Sequence, residues 1–538
     1  MPGVSVAHAT VGAALLAVAV LLWTRLDYIP MWDGFEYASA IDRAATLPLD
    51  AAKLRLGGHA SQAYALLVVA AQMLAPGSYW PMLAANAVLL AVAAVGFHRL
   101  SSLVFPGPER DTDRALLTAA FLLQPALLAA VVQPGLDLPL VPGFVWATVF
   151  VLERRWLAAA AVGTAMVFTK ETGTLLYASL IASLALHDPR VALGTPGRRV
   201  EAFRRLAVLA LPGIAFGLYL AYRMLAARAE PAVWNAGTAM IGQPLWRQLI
   251  VPRIDRYLAS YLAIMLVLNF AWVMTLAIAT GFVVAVKRAL NRGNAVREAV
   301  RSLRSTVGLL CLLTAVTAYA LTRFASFANA RYLLVVVPPM LLLFLAALLT
   351  LPVPASIRRP LLGAFVVFLG LSNVRTIDPV SRALFGTFSV GENDMLRMTS
   401  ITHECCAFGR DQLTYNLEFT TLAALTDDAI ALTRPGDSTL IVIPDSTNWH
   451  TIQLLDSTTG RRTTSASRGF VPMVAEADSA AIYASQRPAA IYIGLPNGSA
   501  NRGLELLART FFVSQERRVS RDGYAMSVYR LVPRAGTP

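Results

Sequence analysis

Three acids stand within the stretch MWDGFEYASAID (31–42), and two of them, Asp33 and Glu36, are three positions apart. A carboxylate held beside an acceptor hydroxyl or amine can take its proton as a general base. Asp42 closes the stretch, and Lys53, Arg55 and His59 follow in the same polar segment. Farther along, Asp137 lies in QPGLDLPLVPG, Lys170 and Glu171 in FTKETG, and Arg331 near the start of ARYLLVVVPPM. Lysine and arginine hold phosphate and stabilise the negative charge that builds on it as a bond breaks. Together these parts suit displacement at a sugar carbon whose leaving group is a lipid phosphate.

Each residue also has a plainer reading. Asp33 can be a solvated loop acid, and Asp137 can cap the helix that begins at LPLVPG. Lys170 and Glu171 can pair with each other at a helix end, and His59 can be an ordinary hydrogen-bonded loop histidine. Arg331 can snorkel from a helix end to the headgroups. The order of these residues, and the membrane side they share, carries more information than any one motif.

The elements that must position them are membrane helices. Of the 538 residues 56% are hydrophobic and 14% charged, against about 25% charged in a soluble domain. The net charge of +14 comes from short basic clusters between apolar runs, which fits topology signals better than a nucleic-acid face. The three cysteines, Cys311, Cys405 and Cys406, form neither a disulfide framework nor a zinc spacing. There is no Walker A loop and no dinucleotide-binding glycine turn.

A spanning helix needs roughly 20 mostly apolar residues. Such runs are expected near 5–24, 79–104, 114–132, 136–153, 156–172, 173–187, 204–226, 257–286, 304–322, 331–350 and 359–374, about 11 spans in all. The first is read as a retained helix, because it lacks a basic start and a clear cleavage site. AYALLVVAAQMLA (63–75) is too short to span and reads as a surface or re-entrant helix. With the runs counted this way, the basic loops fall on one side, which the positive-inside rule makes cytoplasmic. Asp33, Asp137, Lys170, Glu171 and Arg331 fall on the other. Ionisable groups near lipid are costly unless paired or functional.

Residues 1–375 therefore read as a transmembrane catalytic domain. Residues 376–538 change to a soluble composition, and an odd number of spans places them outside the cytoplasm. STLIVIPD (438–445), AAIYIGLP (489–496) and AMSVYRLV (525–532) read as strands. TTLAALTDDAIALT and SANRGLELLART carry helical periodicity between them. This is an extracytoplasmic α/β domain, and TYNLEF (414–419) and PDSTNWH (444–450) are polar and aromatic enough to contact an acceptor.

The order of motifs resembles the GT-C superfamily of polytopic glycosyltransferases, in the branch of the protein O-mannosyltransferases and lipid A aminoarabinose transferases. MWDGFEY stands where that branch has an acidic motif after the first helix. GGHASQAYALLVV (57–69) stands for a His-Pro-Pro-like stretch, keeping the His without the prolines. GLDLPL, AVGTAMVFTKETG and ARYLLVVVPP match the later acidic, Lys-Glu and Arg-Tyr motifs.

The resemblance implies a polyprenyl-phosphate sugar donor, an extracytoplasmic protein, lipid or glycan acceptor, and inversion at the anomeric carbon. It also implies a bacterial inner membrane, with the C-terminal domain on the periplasmic side. By position Asp33 looks like the catalytic base, Asp137 the second site acid, and Arg331 a donor-phosphate contact, with Lys53 and Arg55 added by loop position. His59, Lys170 and Glu171 are further candidates.

The family commonly has adjacent Asp-Glu, so Glu36 either replaces the second acid or is unrelated to it. If this segment is helical, a three-residue spacing puts both acids on one face, although Gly34 disfavours that helix. One or two carboxylates and a His could hold a divalent metal ion without requiring one.

A transporter or flippase for lipid-linked sugars would use the same cations, but many such proteins are built from repeats, and no convincing repeat appears. A membrane polymerase or ligase is the other alternative, one in which the acids should matter less.

Overall fold

The structure is a computed structural model. It describes residues 6–23, 33–46, 54–56, 59–76, 78–132, 134–187, 199–226, 256–268, 270–291, 305–324, 330–373, 378 and 380. Beyond them it describes 439–442, 452–456, 470–471, 491–496, 511–521 and 524–534.

The N-terminal region is helical. α1 (Val6–Trp23) is apolar all round and packs on α5 (Asp111–Leu122). α2 (Asp33–Thr46) is different: Tyr37, Ala38, Ile41 and Ala44 form its buried stripe, the repeat of a one-faced helix. That stripe lies on α3 (Gln62–Gln72), the short helix expected at 63–75. Asp42 and Gln72, both buried, lock the two together, with Gln72 Nε2 donating to Asp42 Oδ1 at 2.8 Å and to the Ser78 carbonyl at 2.9 Å.

α4 (Trp80–Val104) carries Pro81 in its first turn, where the missing N–H costs nothing. α5 and α6 (Pro125–Val131) meet at a 51° bend, because Pro125 cannot continue the ladder of α5. α7 (Leu140–Leu152), α8 (Trp156–Val167) and α9 (Glu171–His187) follow, and α8 packs on both its neighbours. α10 (Arg199–Ala226) lies against α8.

The expected single span at 257–286 is instead two helices, α11 (Arg256–Leu266) and α12 (Ala271–Asn291). The chain turns at Phe270, whose φ of 63° no helix tolerates. The carboxylate of Asp378 holds that turn by accepting from Phe270 N at 3.0 Å and Trp272 Nε1 at 3.1 Å.

α13 (Thr306–Phe324) precedes a 3₁₀ segment, Ala330–Val336, which runs into α14 (Val337–Thr350). Pro338 and Pro339 explain that tighter start. They offer no N–H to the carbonyls one turn back, so an α ladder cannot pass through. α15 (Ala355–Ser372) ends the helical region.

Among the described residues, Trp80–Val104, Phe203–Arg223, Ala271–Asn291, Arg331–Thr350 and Ala355–Ser372 are long and apolar enough to cross a membrane. The bent pair α5–α6 qualifies if taken as one span. Several of the eleven expected runs are thus shorter helices, Leu140–Leu152 and Trp156–Val167 among them. Phe203, Leu218, Phe282 and Val283 are each at least 63% exposed. Apolar surface on that scale is stable against lipid, not water, and the chain is an integral membrane protein.

In the C-terminal region β1 (Thr439–Val442), β2 (Ile452–Asp456), β3 (Phe470–Val471), β4 (Ile491–Pro496), β5 (Phe511–Arg521) and β6 (Tyr524–Pro533) form one sheet, ordered β3-β2-β1-β4-β6-β5. β1 and β4 are parallel, and every other pair is antiparallel. Arg521 pairs with Tyr524 across Asp522-Gly523, a dipeptide that favours two-residue hairpins. The two helices expected in this region, TYNLEF, PDSTNWH, Cys405 and Cys406 lie outside the described residues.

Candidate functional site

Three interruptions of helix bring the candidate residues together. The first is the turn 134–139 before α7, where Pro134, Gly135 and Pro139 stop a helix from forming. The second is the short link 168–170 between α8 and α9, and the third is the 3₁₀ segment. Each contributes one charged side chain to a shared cluster.

Asp137 is at its centre and is 8% exposed. Its Oδ1 accepts from Lys170 Nζ at 2.7 Å, and Arg331 Nε lies 3.5 Å from its Oδ2. Lys170 is also 8% exposed. Tyr332 completes the group: its ring centroid is 4.8 Å from Lys170 Nζ and 5.3 Å from Arg331 Cζ. Both distances suit a cation over an aromatic face.

Among the described residues one carboxylate thus stands against two cations. Such a cluster can take an anionic group at Arg331 while Asp137 keeps the two cations from repelling each other. Asp137 does not cap α7, whose cap position is Pro139 with no side-chain cap bond. Arg331 faces the carboxylate, so its place is more than that of a snorkelling headgroup contact.

Lys170 and Glu171 are neighbours in sequence but not partners. Glu171 Oε2 lies 2.8 Å from His59 Nδ1, and its Oε1 accepts from Ala60 N at 3.1 Å. The Ala63 N–H donates to Phe168 O at 2.9 Å. Ser61 Oγ accepts from Leu56 N at 2.7 Å and donates to Leu54 O at 3.0 Å. The segment carrying Arg55 and His59 is therefore folded on itself and moored to the α8–α9 link. Arg55 is half-buried, and its Nε makes no hydrogen bond among the described residues.

Gly173 makes the α8–α9 link possible. A Cβ there would sit 2.2 Å from the Met166 carbonyl oxygen, and backbone cannot move aside as a side chain can. Gly173→Ala is expected to cost about 1–3 kcal/mol or more and to loosen the placement of Lys170. A lowered unfolding temperature in detergent checks this; an unchanged one would mean the link opens without cost.

Asp33 and Glu36 both lie on α2, so the segment is helical despite Gly34. Their side chains, and the whole of Lys53, lie outside the described residues. The structure thus joins Asp137 to Lys170 and Arg331, and His59 to Glu171. No three His, Cys, Asp or Glu side chains converge among the described residues.

Sequence reasoning missed Tyr332 and Gln72. Tyr332 carried a signal, standing next to Arg331 in the motif. Gln72 carried a weaker one, as a polar residue closing an apolar helix.

No protein-family model matches the chain, and a search of curated proteins gives no match. Solved structures do match. One is the crystal structure of ArnT from Cupriavidus metallidurans bound to undecaprenyl phosphate, with a TM-score of 0.54 and 14% identity, covering 96% of this chain and 97% of that one. Another is the same protein in the apo state, with a TM-score of 0.51 and 13% identity, covering 97% and 98%. At this identity the likeness establishes the fold, which extends over nearly the whole of both chains.

Proposed function

We propose that the chain is a membrane glycosyltransferase that moves a sugar from a polyprenyl-phosphate donor to an extracytoplasmic acceptor. The observation that carries the reading is the Asp137–Lys170–Arg331 cluster, with Asp137 and Lys170 buried and Arg331 half-buried, set on a fold shared with a protein crystallised with undecaprenyl phosphate. A lysine and an arginine set side by side suit a lipid phosphate, whose negative charge grows as the sugar departs.

In this reading Asp33 takes the proton from the acceptor hydroxyl or amine as it attacks the anomeric carbon. Glu36, on the same helix, assists or orients it. Single displacement inverts that carbon. Arg331, with Lys53 and Arg55, holds the donor phosphate. Asp137 serves as the site acid that fixes Lys170 and Arg331. His59 and Glu171 hold the segment bearing Arg55 against the α8–α9 link. Positioning both substrates out of water supplies much of the rate.

The same reading places the transfer site, and an α/β domain built on the C-terminal sheet, on the periplasmic side of a bacterial inner membrane. Branch membership, sugar and acceptor are proposals of the same standing.

The test is an assay of the purified full chain with labelled sugar on polyprenyl phosphate and a mixed extract of membrane and periplasmic acceptors. Transfer of label with release of polyprenyl phosphate is the expected result. Binding of the lipid without transfer from any such donor would replace the reading with a transporter of lipid-linked sugars.

A further inference from the structure

A second charged cluster lies where α5 and α15 begin, at the other end of the α5–α6 pair from the turn that carries Asp137. Asp113 is fully buried in the first turn of α5. Arg358 Nη2 donates to its Oδ2 at 2.8 Å. Arg359 Nε lies 3.5 Å from Oδ1, and Arg110 Nη1 lies 3.7 Å from Oδ2. Arg114 donates to the Phe105 carbonyl at 2.7 Å and pairs with Asp111, while Arg359 Nη2 donates to Glu109 O at 2.9 Å.

The Arg358–Asp113 bond is the short, buried tie between the start of α15 and α5. Arg110 and Arg359 stand too far from Asp113 to add good hydrogen bonds. What they add is charge: Arg110, Arg358 and Arg359 gather on Asp113 and Arg114 on Asp111, while the Glu109 carboxylate lies over Gly107. The side chains of Arg110 and Arg359 are 31% and 40% exposed, whereas those of Arg358 and Arg114 are 7% and 10% exposed. The buried Nε atoms of Arg114 and Arg358 have no hydrogen-bond partner among the described residues.

Asp113 therefore holds several guanidiniums close together against their own repulsion, and the two outermost reach solvent. α15 is long and apolar enough to cross a membrane, and α5 is so together with α6. Clustered arginines at the start of such helices mark the level at which acyl chains give way to headgroups.

We propose that this cluster binds the phosphate of an anionic phospholipid, with Arg110 and Arg359 holding the phosphate at the headgroup level where α5 and α15 enter the membrane. It is separate from the proposed donor site, shares no residue with it, and does not depend on that reading. Its place at the ends of two membrane helices favours a lipid over a free anion.

The test is native mass spectrometry of the purified full chain titrated with phosphatidylglycerol and, separately, phosphatidylcholine. Each basic residue near an anionic headgroup contributes about fivefold, so wild type should bind phosphatidylglycerol at least about tenfold more tightly. Arg110→Gln with Arg359→Gln should bring the two lipids close to parity. That variant keeps Arg358 and Asp113, and an unchanged unfolding temperature confirms that the clamp survives.

Lys287→Gln with Arg288→Gln removes the same charge elsewhere and should leave the preference intact. Inorganic phosphate in excess should not displace the lipid. The proposal is overturned by no preference in wild type, by equal loss in both double variants, or by displacement at phosphate concentrations matching the lipid.

Discussion

An Asp33→Asn protein, purified in detergent and supplied with a polyprenyl-phosphate sugar, is expected to lose transfer by about 10²- to 10⁴-fold while still binding the lipid donor. The reason is chemical. Asparagine is close to aspartate in shape but cannot accept a proton, so the attacking group keeps its proton into the transition state. Asp33 opens α2, and α2 is held to α3 by the buried stripe and the Asp42–Gln72 bond. An unfolding temperature measured alongside activity separates loss of the base from loss of folding. Loss should fall on turnover rather than on donor affinity, and Glu36→Gln should cost less. Full activity in Asp33→Asn would remove it as the base and shift attention to Glu36.

The second large effect is expected at Asp137. Replacing it with Asn strips the countercharge from Lys170 and Arg331 and leaves two cations facing one another in a buried place. Breaking a buried pair from one side costs about 3–5 kcal/mol, so Asp137→Asn should unfold at a markedly lower temperature. Lys170→Met should also destabilise, by leaving Asp137 with Arg331 alone at 3.5 Å. The double variant Asp137→Asn with Lys170→Met should be less damaged than the sum, by about 1–3 kcal/mol of coupling.

Thermal unfolding of the four proteins completes the cycle. Additive effects would mean that the pair does not act as a unit, and the role given to Asp137 would fall. A donor-affinity loss in Arg331→Gln, with stability nearly kept, would separate phosphate contact from packing.

The sequence by itself determined the class of the molecule and the order of its parts. Long apolar runs with few charges leave no soluble alternative, because backbone and side chains at that composition are stable only in lipid. α4 and α15 begin and end close to the runs 79–104 and 359–374. Thr439–Val442, Ile491–Pro496 and Tyr524–Pro533 fall on the three stretches that read as strands bounded by Pro, Gly and Asp. The list of charged residues worth attention was legible too, since charge near lipid is rare and stands out.

Only the tertiary structure decided which of them meet. Lys170 and Glu171 look like a pair because they are adjacent, yet each turns to a partner supplied by another element, Asp137 for one and His59 for the other. The break at Phe270 depends on Asp378, 108 residues away in the chain. The 3₁₀ start of the 331–350 run needs its prolines read as a missing hydrogen-bond ladder rather than as apolar residues. Hydropathy and periodicity measure each segment's preference for lipid or water, a local property. Ion-pair partners depend on which helix ends the packing brings within a few ångströms, and no local pattern in the chain encodes that.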